Sequence, residues 1–197
     1  MQQIRWPYYL VAFLSLAIAL VSYRFLALAL DQAFVSMTGH LAQRRLALIL
    51  HVSAAPIALA TGVLQFLPGL RARRPGLHRW TGRVYAFAVL IAGGAGLLLA
   101  IGAEGGRVAG LGFGLLAVVW LAVTGQAVRL AMARRIALHR RWMIRSFALT
   151  FAAVTLRIYL PFFIGLGGLS YAQASLWVAW LCWVPNLLLV EWWLARR

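Results

Sequence analysis

The chain contains no lysine, a single cysteine, a single asparagine and three carboxylates, Asp31, Glu104 and Glu191. So few acids leave nothing for paired acid–base chemistry or for a hard-metal site, both of which need clustered carboxylates. Cys182 lies inside an apolar run, which excludes a disulfide framework and a cysteine-rich metal centre by counting. No phosphate-cradling glycine loop, HExxH helix or nucleophile elbow occurs, so no metal-ligating or catalytic set is assigned and the reading leans away from an enzyme. The exception is redox activity of the haem electron-transfer type, which needs none of these signatures.

What the chain does have is apolar surface and arginine. Hydrophobic residues fill 64% of the 197 positions and charged residues 11%, a balance that a water-facing domain could hardly sustain. The expected fold class is all-α: a polytopic membrane protein, one domain over residues 1–197, built as a bundle of six transmembrane helices. Runs near the length of about 20 residues that crosses a bilayer fall at about 8–30, 46–67, 83–103, 109–131, 146–166 and 174–194. The first run is longer than a signal-peptide core and reads as a retained helix. Residues 31–45 form an amphiphilic connector, the Glu104-Gly105-Gly106-Arg107 turn is a tight hairpin, and 68–82 and 132–145 are connectors dense in arginine.

The +16 formal charge would point to nucleic acid in a soluble chain, but no nucleic-acid fold signature accompanies it. The arginines sit between apolar runs, where the positive-inside rule accounts for them and anionic lipid is the expected partner, alongside a homo-oligomer or a larger membrane complex. With both termini on one side, that side collects Arg5, Arg71, Arg73, Arg74, Arg79, Arg83, Arg129, Arg134, Arg135, Arg140, Arg141, Arg145, Arg196 and Arg197, 14 of the 19 arginines. Both termini are therefore expected in the cytoplasm, and the protein in a bacterial inner (cytoplasmic) membrane as a multi-pass chain.

Three groups of residues could carry chemistry. Leu77-His78-Arg79-Trp80-Thr81-Gly82-Arg83 is echoed by Leu138-His139-Arg140-Arg141-Trp142-Met143-Ile144-Arg145, each just ahead of an outward-running span. Helix starts with arginine forks suit anions, so Arg79, Arg83, Arg140 and Arg145 form a candidate cytoplasmic anion site for a lipid phosphate, a haem propionate or an acidic substrate. His51, His78 and His139 are candidate ligands for haem b, imidazole being a normal axial ligand. His40 stands in the connector, outside any span, and His78 and His139 precede their helices. His51, about five residues into its span, is read as a hydrogen-bonded bundle residue or as a metal, quinone or proton-relay group.

The third group is intramembrane. Arg157 follows Arg145 by twelve residues, roughly 18 Å of helix, too deep for easy snorkelling and costly unless paired or hydrated. Asn186 should reach a similar depth with Glu191 a turn and a half beyond it, and Arg157 is expected to bond one of the two. Pro161 and Pro185 would free carbonyls for the same cation.

Three stretches carry a resemblance: His51 to Trp80, His139 to Arg157 with its HRRWMIRS string, and Trp180 to Asn186 with WVPN. Together they resemble a family of predicted bacterial membrane proteins catalogued as domain of unknown function 2306, over roughly residues 45–192. The resemblance implies a multi-span membrane protein and transfers no catalytic residue. Three functions follow as expectations: binding of haem or an anionic ligand at the cytoplasmic arginine and histidine cluster, with transmembrane electron transfer as the specific version; a small carrier using Arg157 for an anionic substrate; or a structural or assembly subunit.

Overall fold

The computed structural model describes residues 6–197; Arg5 and the four residues before it lie outside that range. Six helices in it are long and apolar enough to cross a membrane, and no strand occurs among the described residues. They are α1 (Trp6–Leu26), α2 (Arg45–Gln65), α3 (Pro75–Ala100), α4 (Gly106–Met132), α5 (Ile136–Leu166) and α6 (Tyr171–Ala195). Each corresponds to one expected span. Large apolar side chains on their outer faces, such as Phe13, Leu20, Leu111 and Leu189, are more than 60% exposed, as a lipid-facing surface requires.

The helix starts depart from expectation in an informative way. α3 begins eight residues earlier than the apolar run and α5 ten residues earlier, so His78, Arg79 and Arg83, and His139, Arg140 and Arg145, lie inside the first turns of helices rather than ahead of them. Proline at the first helical position starts α3, where its missing N–H costs nothing, and arginine is a good helix former, so the helix continues past the apolar segment. The connector 68–82 is likewise mostly helical, with a short helix Pro68–Arg73 leading into α3. The 31–45 connector folds into short helical turns, Leu30–Ala33, Val35–Met37 and Thr38–Gln43. Phe34 of this segment packs with Leu48 of α2 and with Ala95 and Leu99 of α3, which holds it across the end of the bundle opposite the termini.

α2, α3, α4 and α5 pack in chain order, α1 lies against α2 and the second half of α5, and α6 lies against α4 and α5. Small residues permit this closeness. A Cβ on Gly112 would stand 2.9 Å from the Ala179 carbonyl oxygen, so α4 and α6 meet backbone to backbone there. A knot of hydroxyls ties α3, α4 and α5 together at mid-depth. Tyr85 Oη lies 2.7 Å from both Ser146 Oγ and Thr150 Oγ1, Thr124 Oγ1 lies 2.6 Å from Ser146 Oγ, and Trp120 Nε1 donates to Thr150 Oγ1 at 2.9 Å.

Two spans are broken. α5 passes Pro161 into a π-helical turn, Phe162–Leu166, the kind of irregularity that a proline or a ligand site introduces. α6 is interrupted at Cys182 and Trp183 ahead of Pro185. The Cys182 carbonyl accepts there from the side chains of Thr155 and Asn186, which bind it where the helix is interrupted.

A cavity around Arg157 and His51

The intramembrane cluster expected of Arg157, Asn186 and Glu191 does not form. Arg157 Nη1 donates to the Ala153 carbonyl and its Nη2 to Ser22 Oγ of α1, both at 2.9 Å. Asn186 donates instead to the Cys182 carbonyl at 2.9 Å and to Thr155 Oγ1 at 3.2 Å. Glu191 takes a bidentate ion pair from Arg145, at 2.5 and 2.7 Å. The reason is rotation rather than depth. At about 100° per residue, Thr155 and Arg157 point to nearly opposite sides of α5, and Asn186 packs on the Thr155 side. Nor does Arg157 take a carbonyl freed by proline; it reaches back to its own helix four residues earlier.

On its own side Arg157 meets an open cavity of about 760 Å³ lined by residues of all six helices. Ser22, His51, Gly96, Trp120, Thr150 and Tyr171 are among its lining residues, and His40, Arg24, Gln32 and Glu104 stand toward its mouth. The lining comes from the halves of the helices nearest the 27–44 connector, so the cavity belongs to the end of the bundle opposite the termini. Its walls are mainly apolar, which is what a largely hydrophobic ligand requires, with a few polar groups that converge.

Two of those groups have assignable hydrogen-bonding states. A guanidinium has five N–H donors, and Arg157 uses Nη1 and Nη2 once each, leaving three without a bond to the described residues. His51 Nδ1 lies 2.8 Å from the Ala92 carbonyl of α3, and a carbonyl can only accept, so Nδ1 carries the proton. Its Nε2 makes no hydrogen bond among the described residues and is not a closed-in orphan. In the neutral ring it is therefore an open acceptor. Gly96 of α3 lies against this ring, where a Cβ would stand 3.4 Å from His51 Nδ1.

The hydroxyl knot borders the cavity at Thr150 and Trp120, and its proton order follows from counting. Each hydroxyl has one hydrogen. Thr150 gives its hydrogen to the Ser146 carbonyl at 2.9 Å, so Tyr85 must donate to Thr150, Ser146 to Tyr85 and Thr124 to Ser146. Every hydrogen in the knot is committed, and it offers the cavity no free donor.

At the other end of the bundle the structure brings His78 and His139 close enough to feel each other electrostatically, while His51 stands apart from them on the far side of the knot. His139 Nδ1 is held by the Ala127 carbonyl at 2.8 Å, and His78 Nδ1 is buried without a partner among the described residues. Of the anion-site arginines, Arg145 is committed to Glu191, whereas Arg79, Arg83 and Arg140 are exposed and make no ion pair among the described residues.

Sequence reasoning missed His40 and Glu104 as partners of the deep site. His40 is only 4% exposed although it stands outside any span, because the folded connector carries it over the cavity. Burial, with Arg44 adding to it, holds its imidazole below the usual histidine range, and Glu104 opposes that shift. The one signal available was rarity: Glu104 is one of three acids and His40 one of four histidines.

A family model described as predicted membrane protein, DUF2306, matches residues 48–194. No curated protein and no solved structure matches the chain. The matched stretch includes His51, Arg157 and Asn186 and begins after α1 and the connector that carries His40.

Proposed function

The chain belongs to the DUF2306 family of predicted membrane proteins, and on the geometry of its cavity we propose that this integral membrane protein binds a lipid-phase ligand: an amphiphile whose oxygen-bearing head is gripped by Arg157 and whose apolar body fills the remaining space. The observation that carries this reading is the guanidinium itself. It is deep in the bundle, no carboxylate pairs with it, and three of its N–H donors are left over beside a cavity of about 760 Å³. A cation so placed is costly in the bilayer unless something compensates it, and an oxygen-rich head supplies that compensation.

This reading moves the site from the arginine and histidine cluster at the terminus end to the opposite end. Haem held by His78 and His139 has less support, because the large cavity lies elsewhere and His51 is not among their neighbours. Binding is favoured over carriage because the cavity's lining belongs to one half of the bundle. The arginines at the terminus end remain a surface for anionic lipid headgroups, supported by the exposure of Arg79, Arg83 and Arg140.

The test is to purify wild-type protein and Arg157→Gln in the same detergent, confirm that both are folded, extract them with organic solvent and compare the extracts by mass spectrometry. A stoichiometric amphiphile present with the wild type and depleted at least about tenfold in the variant is expected, the loss of one charge-assisted contact. Identical extracts would overturn the proposal.

A further inference from the structure

We propose that the cavity is built for a quinol-type head, a flat ring whose hydroxyl donates to His51 Nε2 while a second oxygen on the same ring accepts from Arg157. This rests on the reading that the cavity holds an amphiphile, and it specifies which one. The two polar groups ask for opposite things. Arg157 offers only donors. His51 offers an acceptor, because the Ala92 carbonyl has fixed its proton on Nδ1. A carboxylate or phosphate satisfies Arg157 but turns an oxygen lone pair toward the His51 lone pair, leaving the imidazole unmatched in an apolar wall, where an unmade hydrogen bond is expensive. An alkyl alcohol satisfies His51 and gives Arg157 a single weak acceptor. A dihydroxylated ring carries a donor and an acceptor at separate edges of one rigid body.

The walls agree with a ring. Trp120, Phe113 and Tyr171 supply aromatic surface to the lining, against which a flat ring can lie. The hydroxyl knot cannot substitute for the ligand at His51, since all its hydrogens are spent. Ile18, Val21, Leu160 and Ile164 line the cavity from α1 and α5, where an apolar tail has a continuous hydrocarbon surface to follow.

The experiment uses the full chain in detergent with decyl-ubiquinone, either oxidised or kept reduced by dithionite, and measures affinity by titration calorimetry and by thermal stabilisation. Wild type is expected to bind the reduced form at least about tenfold more tightly than the oxidised form, which has no hydroxyl to give His51. His51→Phe is expected to erase the difference while keeping the oxidised-form affinity, and Arg157→Gln to weaken both forms. His51→Leu, a smaller apolar replacement, serves should His51→Phe fail to fold, and is likewise expected to erase the preference. Equal binding of the two forms, or a preference that survives in the His51 variants, overturns the inference. Arg157-dependent binding of oleate with no binding of either quinone form also overturns it while leaving the amphiphile reading intact. Absence of any Arg157-dependent ligand overturns both.

Discussion

Tyr85 shows how much one hydroxyl decides inside an apolar bundle. It accepts from Ser146 and donates to Thr150, so it joins α3 to two successive turns of α5, and it is fully buried. Tyr85→Phe keeps the ring but strips both neighbours of a partner. Hydrogen bonds between membrane helices are worth about 0.6 kcal/mol on average and up to about 1.7. The variant is therefore expected to lose about 1–3 kcal/mol against detergent-driven or thermal unfolding; an unchanged unfolding midpoint would mean that the knot contributes nothing. The chemistry of this residue was not legible in advance, because a tyrosine in an apolar run gives no sign of which side it faces. Arg157 was legible in part. Its depth follows from counting residues, and its role as a charge in need of compensation follows from depth. Its direction depends on how α5 is turned against α1 and α6, which spacing within one helix cannot supply, so Asn186 and Glu191 were assigned to it when they belong to Thr155 and Arg145.

Among the elements, the 27–44 connector is the one whose behaviour departs most from its sequence. The sequence marks residues 31–45 only as an amphiphilic connector, and the segment folds into short turns anchored by Arg24, which donates twice to the Ala33 carbonyl and lies over the Phe34 ring. His40 is the pH-sensitive point of this cap. It faces Glu104 from the α3–α4 turn and Arg44 at the start of α2, and burial, the larger influence, holds its pKa below the ordinary 6.5. A histidine whose folded pKa is depressed contributes stability that is present above the unfolded value and lost as pH falls, because the unfolded chain then binds the proton that the folded one refuses. The thermal midpoint is expected to decline as pH is lowered from 8 through about 6 toward 5, with a shallower decline in His40→Gln. An identical slope in both proteins would take His40 out of the account. The spans themselves were legible because apolar length is a strong signal. The early starts of α3 and α5 were not, because hydropathy marks where lipid ends and not where the helix does.

For the whole molecule, the six spans run antiparallel in succession, which puts the start of α1 and the end of α6 at one end. Arginines dominate that end, and the positive-inside rule then predicts a cytoplasmic C-terminus. Fusing alkaline phosphatase or green fluorescent protein after Arg197 checks this: fluorescence without phosphatase activity is expected, and the reverse would invert the orientation. The cavity itself could not be foreseen from the sequence, since its lining is assembled from halves of six helices that only folding brings together.

The proposed occupant also fixes how the cavity answers to membrane voltage. A charge crossing the full membrane exchanges about 2.3 kcal/mol per 100 mV. The quinol-type ring proposed for this cavity carries no net charge, so its occupancy is expected to be indifferent to membrane voltage whatever its depth.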